Sequence, residues 1–166
     1  MSWPNLHAAL NDLPAALLLV SLVFEIFGAL LKRDSLKATA FWTLLAGVIG
    51  AVLAGLAGLM AEKRVEQSVR AHDLIERHET LAFVVLGLFF ALLLWRTVRR
   101  TLSKQEQTIY ITIAAIGVVL MMITARVGGS LVFGHGLGIP TAKLDSIRAE
   151  RPAPVRAPPA APDTAR

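Results

Sequence analysis

Histidines are the residues of this sequence whose chemistry is most distinctive. The chain contains no cysteine, so a thiolate zinc site, an iron–sulfur cluster and a disulfide framework are excluded. Imidazole is a common metal ligand, and two imidazoles that face each other inside an apolar shell are axial ligands for a b-type haem. We therefore take His7, His78 and His135 as candidate haem ligands and expect two of them to share one site. Beyond haem iron, no metal site is predicted.

Four apolar segments must position these histidines. The chain of 166 residues is 55% hydrophobic and only 17% charged, whereas about a quarter of the residues are charged in a typical soluble domain. Each segment is close to the ~20 apolar residues that cross a bilayer as a helix. The predicted spans are residues 14–31, 38–61, 80–96 and 107–133. The sequence thus predicts an all-α integral membrane four-helix bundle.

The last part of the chain differs in composition from the rest. Residues 1–139 form the predicted transmembrane domain, and residues 140–166 are basic and rich in proline and alanine, without apolar periodicity. Such a composition does not bury enough apolar surface to fold by itself. We therefore expect a flexible, disordered tail after the fourth span.

Four spans place all four histidines on one side of the membrane. The N-terminus, the connection between the second and third spans, and the C-terminus share that side. His72 lies about 240° around a helix from His78, because a helix turns about 100° per residue, and is the weakest candidate ligand. A four-helix bundle supplies the facing helices that haem ligation requires. The competing interpretation is that these histidines bond to water and lipid headgroups at the membrane edge.

Glu25 and Arg126 are charged residues within apolar segments. If the first and fourth spans begin near Pro14 and end near His135, both charges lie at similar depths and form a buried ion pair that fixes the helix register. Removal of either partner would then leave the other unpaired. The functional alternatives are a proton-relay carboxylate at Glu25, or contact of Arg126 with a haem propionate or a quinone oxygen.

The second span carries small residues at intervals of four. Gly50, Ala54 and Gly58 fall on one helix face, and small residues at this spacing allow helix backbones to approach closely in lipid. The pattern places this span at the centre of the bundle or at a homodimer seam.

The distribution of basic residues predicts the orientation. No lysine or arginine precedes the first span, whereas Lys32, Arg33 and Lys37 follow it. The positive-inside rule then places both termini on the outer side of the membrane. The chain has no basic stripe with interleaved aromatic residues, so we expect lipid rather than nucleic acid as a partner.

The most specific motif of the chain is GGSLVFGHGLGI, from Gly128 to Ile139. A second motif, HAALNDLP, begins at His7 near the N-terminus. On these motifs and on His78, residues 7–139 resemble a bacterial family of four-helix membrane proteins, that of the domain of unknown function 2231. The resemblance implies a four-span topology in the bacterial cytoplasmic (inner) membrane and three histidine positions, but no established reaction. In that membrane, the outer side predicted for both termini from the basic residues is the periplasm. Asp12 stands where many members have a further histidine, which argues against a second haem site.

The leading functional hypothesis is a small multi-pass b-type haem protein, a redox or electron-transfer subunit of a membrane complex rather than a self-contained enzyme. The alternative is a non-catalytic accessory or scaffolding subunit that docks a partner on the small-residue face of the second span. A small transporter is a weaker alternative, because the sequence offers little of the inverted-repeat pattern of carriers.

Overall fold

A computed structural model describes residues 3–63, 69–99, 101–137 and 141–150 of the chain. Its helices are α1 (Trp3–Leu30), α2 (Asp34–Glu62), α3 (Val69–Val98), α4 (Lys104–His135) and the short α5 (Thr141–Ala149). Helices α1 to α4 are long and apolar enough to cross a membrane. The all-α, four-span architecture predicted from the sequence is therefore confirmed.

The four long helices form a closed ring. Helix α1 packs against α2 and α4, and helix α3 packs against the same two neighbours. Within the described ranges, the backbones of α1 and α3 do not approach each other, so these two helices lie on a diagonal of the bundle. Because short connections make successive helices antiparallel, α1 and α3 run in the same direction. Long side chains of α1 and α3 are therefore needed to bridge the centre.

Glycines let large side chains fill the middle of the bundle. Leu18, Leu44 and Phe89 are its largest fully buried side chains. A Cβ atom at Gly47 would lie 2.8 Å from Leu18 Cδ2, and one at Gly117 would lie 3.0 Å from Phe89 Cε2. Both distances are shorter than a relaxed packing contact, so each glycine is required where a large residue of the preceding helix crosses it.

Helices α1 and α3 begin earlier than the predicted spans. His7 lies within α1, and His78 lies within α3, whereas the predicted spans begin only at residues 14 and 80. Helix α1 continues through Pro14, which has no amide hydrogen to donate and is buried. A Cβ at Gly50 would lie 3.5 Å from Pro14 Cδ, so the proline ring packs on the small-residue face of α2.

The small residues of α2 are used within the chain. Gly50 faces Pro14, Gly58 faces the His7 ring, and Ala54 is buried. Of the two positions predicted for this span, the structure therefore favours the centre of the bundle. A homodimer seam through these three residues would require surface that α1 already covers.

Helix α4 has defined signals at both ends. At its start, Ser103 Oγ accepts a hydrogen bond from the Glu106 amide, and Glu106 Oε2 accepts one from the Ser103 amide. At its end, Gly136 adopts φ 66°, the left-handed conformation that commonly terminates helices. The following segment Thr141–Ala149 is the helix α5, which lies at the start of the predicted tail. The remaining predicted tail, residues 151–166, lies outside the described residues.

Candidate histidine site at one end of the bundle

His7 and His78 meet across the diagonal of the bundle. Their ring centroids are 6.2 Å apart, and the ring planes are inclined by 83°. The two side chains come from α1 and α3, whose backbones remain apart, so the imidazoles bridge the bundle centre. Two of the three candidate ligands therefore share one location, as the sequence predicted for some pair among them.

Each imidazole is anchored to a backbone carbonyl on the next helix along the chain. His7 Nδ1 lies 2.8 Å from Ala54 O, and His78 Nδ1 lies 3.0 Å from Thr124 O. A carbonyl oxygen can only accept, so Nδ1 carries the hydrogen and donates it. In a neutral ring the remaining nitrogen, Nε2, then holds a lone pair. This arrangement fixes the tautomer and the ring orientation of metal-binding histidines.

A glycine makes room for each ring. A Cβ atom at Gly58 would lie 3.1 Å from His7 Cε1, and one at Gly128 would lie 2.8 Å from His78 Cε1. Gly58 follows Ala54 by one helical turn, and Gly128 follows Thr124 in the same way. Each imidazole therefore lies against a helix where a glycine admits it and a carbonyl one turn earlier receives its hydrogen bond. Any larger residue at Gly128 must displace the His78 ring.

The two histidines line a cavity of about 580 Å³ between the four long helices. This volume is within the range of cofactor and ligand pockets, roughly 300–1,000 Å³. Its wall is largely apolar and rich in small residues, including Ala51, Gly55 and Gly129. Besides the two histidines, its polar lining residues are Asn11, Asp12, Glu62, Glu79 and Thr124. The cavity thus has the apolar wall and the few polar groups of a small-molecule site.

His135 and His72 do not join this pair. His135 is exposed at the end of α4, where its Nδ1 lies 3.1 Å from Ser130 O. His72 is exposed on α3, with Nε2 3.4 Å from Glu76 Oε1. Both belong to the same end of the bundle as the cavity, but neither lines it. Spacing alone left three possible pairs, and the geometry selects His7 with His78.

The predicted ion pair between Glu25 and Arg126 is wrong. Glu25 is buried, and its Oε2 lies 4.0 Å from Arg96 Nε. Gln107 Nε2 donates a hydrogen bond of 3.4 Å to Glu25 Oε1. Sequence reasoning missed Arg96 because it is the last residue of the predicted third span, where a basic residue is expected to face the membrane edge.

The start of α1 explains the error. Because α1 begins at Trp3, Glu25 lies about 27 Å along the helix from His7, near the opposite end of the bundle. Arg126 lies only about 13 Å from His135, on the histidine side. The two charges are therefore at different depths.

Arg126 is exposed on the outside of α4. This helix has 32 residues, and its length of about 48 Å exceeds the ~30 Å of hydrocarbon it must cross. A residue nine positions from its end can therefore extend its guanidinium to the headgroups. Arg126 does not line the histidine cavity, so it is not positioned to contact a cofactor held there.

A second cavity, of about 470 Å³, lies at the Glu25 end of the bundle. It is lined by residues of α2, α3, α4 and the connection before α4, and includes Arg96, Gln107 and Trp42. No residue of α1 contributes to it among the residues that the structure describes. It therefore lies beside the Glu25–Arg96 pair rather than between the diagonal helices.

The fold and the site define a multi-pass α-helical membrane protein with a paired-histidine cavity at one end of the bundle. A family model described as a predicted membrane protein (DUF2231) matches residues 4–141. The chain belongs to this family, as the motifs at its two ends indicated. No curated protein and no solved structure shows significant similarity to it.

Proposed function

We propose that this membrane protein binds haem b between His7 and His78 and acts as an electron-transfer subunit. The observation that carries the proposal is the pair of oriented imidazoles, 6.2 Å apart between ring centroids, in a largely apolar cavity. When bound, haem supplies a one-electron couple. The residues of this chain orient the ligands and surround the macrocycle with apolar side chains, which favours a stable redox centre.

The separation of the rings supports ligation of one metal ion from two sides. A bond from an imidazole nitrogen to a metal ion is about 2 Å long, so two rings on opposite sides of one ion have centroids roughly 6 Å apart. Because Nδ1 of each ring donates to Ala54 or Thr124, Nε2 of both rings would be the nitrogen that binds the metal ion. The ring separation and the tautomers therefore support a metal ion held between His7 and His78.

The donor set favours haem over a metal ion held by protein alone. Across the described ranges, no group of three or more His, Cys, Asp or Glu side chains is arranged to hold a metal ion. Zinc sites normally use three or four protein ligands. Haem needs only two, because the porphyrin supplies the other four nitrogens. Two imidazoles with a wall of small residues thus match the requirement of haem.

The optical spectrum tests this proposal. The full chain, produced with haem available and purified in detergent, is expected to show a Soret band and a reduced α-band. Each of the variants His7→Ala and His78→Ala is expected to lose the bis-imidazole α-band. The variants His72→Ala and His135→Ala are matched controls at the same end and should retain it. A colourless wild-type protein after haem reconstitution would overturn the proposal.

The scaffolding alternative has less support in the geometry. It relied on the small-residue face of α2 as a docking surface, but Gly50 and Gly58 are covered by Pro14 and His7. Enlargement of these glycines would therefore disturb the fold itself.

We also propose that the histidine end faces the periplasm of a bacterial cytoplasmic membrane. The basic residues Lys32, Arg33, Lys37, Arg96 and Arg99 are at the opposite end of the bundle, which supports a cytoplasmic position for that end. An electron partner would then reach the haem from the outer side.

Cysteine labelling tests the orientation, because the chain has no cysteine of its own. An impermeant thiol reagent added to intact cells should not label the cysteine-free wild type. It should label the variant His135→Cys strongly and the variant Ser35→Cys only weakly.

A further inference from the structure

The two halves of the bundle have corresponding positions at a spacing of 71 residues in one helix pair and 70 in the other. In α1 and α3, residues 71 positions apart correspond: His7 with His78, Leu18 with Phe89, and Glu25 with Arg96. In α2 and α4, residues 70 positions apart correspond: Gly47 with Gly117, Ala54 with Thr124, and Gly58 with Gly128. Helix hairpin α1–α2 is therefore related to hairpin α3–α4 position by position.

The contacts repeat as well as the positions. His7 bonds to Ala54 O and lies against Gly58, and the same two contacts recur for His78 at Thr124 and Gly128. In the middle of the bundle, Leu18 lies against Gly47. Phe89 lies against Gly117 in the same way. Both hairpins therefore use the same contacts at the histidine end and in the middle of the bundle.

The contacts across the diagonal pair equivalent positions with each other. His7 meets His78 at one end, and Glu25 meets Arg96 at the other. Such self-pairing is what a two-fold axis along the bundle requires, because a residue near the axis meets its own counterpart. Since α1 and α3 run in the same direction, the axis lies along the membrane normal, as in parallel repeats of membrane proteins.

We propose that the chain is a duplicated helical hairpin, and that each copy supplies one half of the haem site: an imidazole, the carbonyl that orients it and the glycine that admits it. This inference rests on the proposed function. His7 from one copy and His78 from the other would then hold a bound haem iron from both sides. With both imidazoles bound, the iron would have no position free for oxygen or carbon monoxide. Such a haem would supply electron transfer rather than gas binding.

Carbon monoxide tests the coordination. The spectrum of the dithionite-reduced wild-type protein is expected to remain unchanged under carbon monoxide. A Cβ at Gly58 would lie 3.1 Å from His7 Cε1 and one at Gly128 would lie 2.8 Å from His78 Cε1, so a larger branched side chain at either position crowds the ring. Gly58→Val and Gly128→Val should therefore each open one side of the iron, and both should acquire a carbon monoxide spectrum. Gly87→Val is the control, since a Cβ there meets nothing within 4 Å.

Two results would overturn the inference while leaving haem binding intact. One is a wild-type protein that binds carbon monoxide readily, and the other is a response in only one of the two glycine variants. A protein without haem would instead refute the proposed function. In that case, proton–nitrogen correlation spectra of histidine-labelled protein decide on the equivalence of the half-sites. His7 and His78 are expected to be the same Nδ1–H tautomer, and different tautomers would refute their equivalence.

Discussion

At the two ends of the bundle, helices α1 and α3 contact each other through side chains of different chemistry. At both ends, α1 and α3 face each other across the diagonal. At one end they present His7 and His78, each of which donates its Nδ1 hydrogen to a helix carbonyl and keeps an acceptor nitrogen. Two acceptors cannot bond to each other, so they remain available to a metal ion. At the other end, Glu25 and Arg96 have opposite charges and neutralise each other.

This difference separates the proposed ligand site from a contact that stabilises the fold. The histidine end surrounds a cavity between all four long helices, whereas the Glu25 end joins α1, α3 and α4 through one carboxylate. We therefore expect substitutions at the Glu25 end to lower the free energy of unfolding, and substitutions at the histidine end to act mainly on ligand binding.

The largest effect on stability is expected from Arg96→Leu. The substitution leaves the Glu25 carboxylate buried without its guanidinium, and breaking a buried pair in this way costs roughly 3 kcal/mol. Unfolding by sodium dodecyl sulfate in mixed micelles, followed by circular dichroism, measures the change. The double variant Glu25→Leu/Arg96→Leu removes both charges and should recover most of the loss. A double variant no more stable than Arg96→Leu would contradict this account of the pair.

A smaller effect on stability is expected from His78→Ala in haem-free protein. The variant loses one hydrogen bond to Thr124 O, which corresponds to about 1 kcal/mol, while the affinity for haem falls and the bis-imidazole spectrum is lost. The same micelle titration and a haem titration of one preparation measure both quantities. If His78→Ala destabilised the haem-free protein as much as Arg96→Leu, the distinction between the two ends would fail.

Ser21→Ala tests the Glu25 end with a neutral group. Ser21 Oγ donates a 2.8 Å hydrogen bond to Ala40 O and joins α1 to α2 one turn before Glu25. Its loss should lower the free energy of unfolding by about 1 kcal/mol. Ser130→Ala is the matched control at the histidine end, because Ser130 Oγ donates only to Val127 O of its own helix. If the histidine end stabilised the fold instead, Ser130→Ala would lower the free energy of unfolding more than Ser21→Ala.

The smallest effect is expected from Arg126→Leu. Since this side chain is exposed and lies outside the cavity, the change in unfolding free energy should stay within about 0.5 kcal/mol. Haem affinity should be unaffected. A loss of the haem spectrum in this variant would show that Arg126 contacts the cofactor after all.

Much of the architecture was predictable because hydrophobic length is a local property of sequence. The four apolar runs identified the spans, and the parity of four spans placed the histidines at one end. The depth of individual residues in the membrane was less predictable. The first apolar run suggested a helix start at Pro14, but the polar segment before it continues the same helix from Trp3. That extension moved Glu25 away from Arg126 and toward Arg96.

By itself, the sequence determined that this protein is helical, crosses a membrane four times and carries its histidines at one end. These properties follow from composition and periodicity, which each segment expresses without reference to the others. Only the tertiary structure decided that His7 pairs with His78, that Gly58 and Gly128 admit the two rings, and that Glu25 meets Arg96. Those pairings depend on which helix faces share the diagonal, and that depends on the packing of all four helices together.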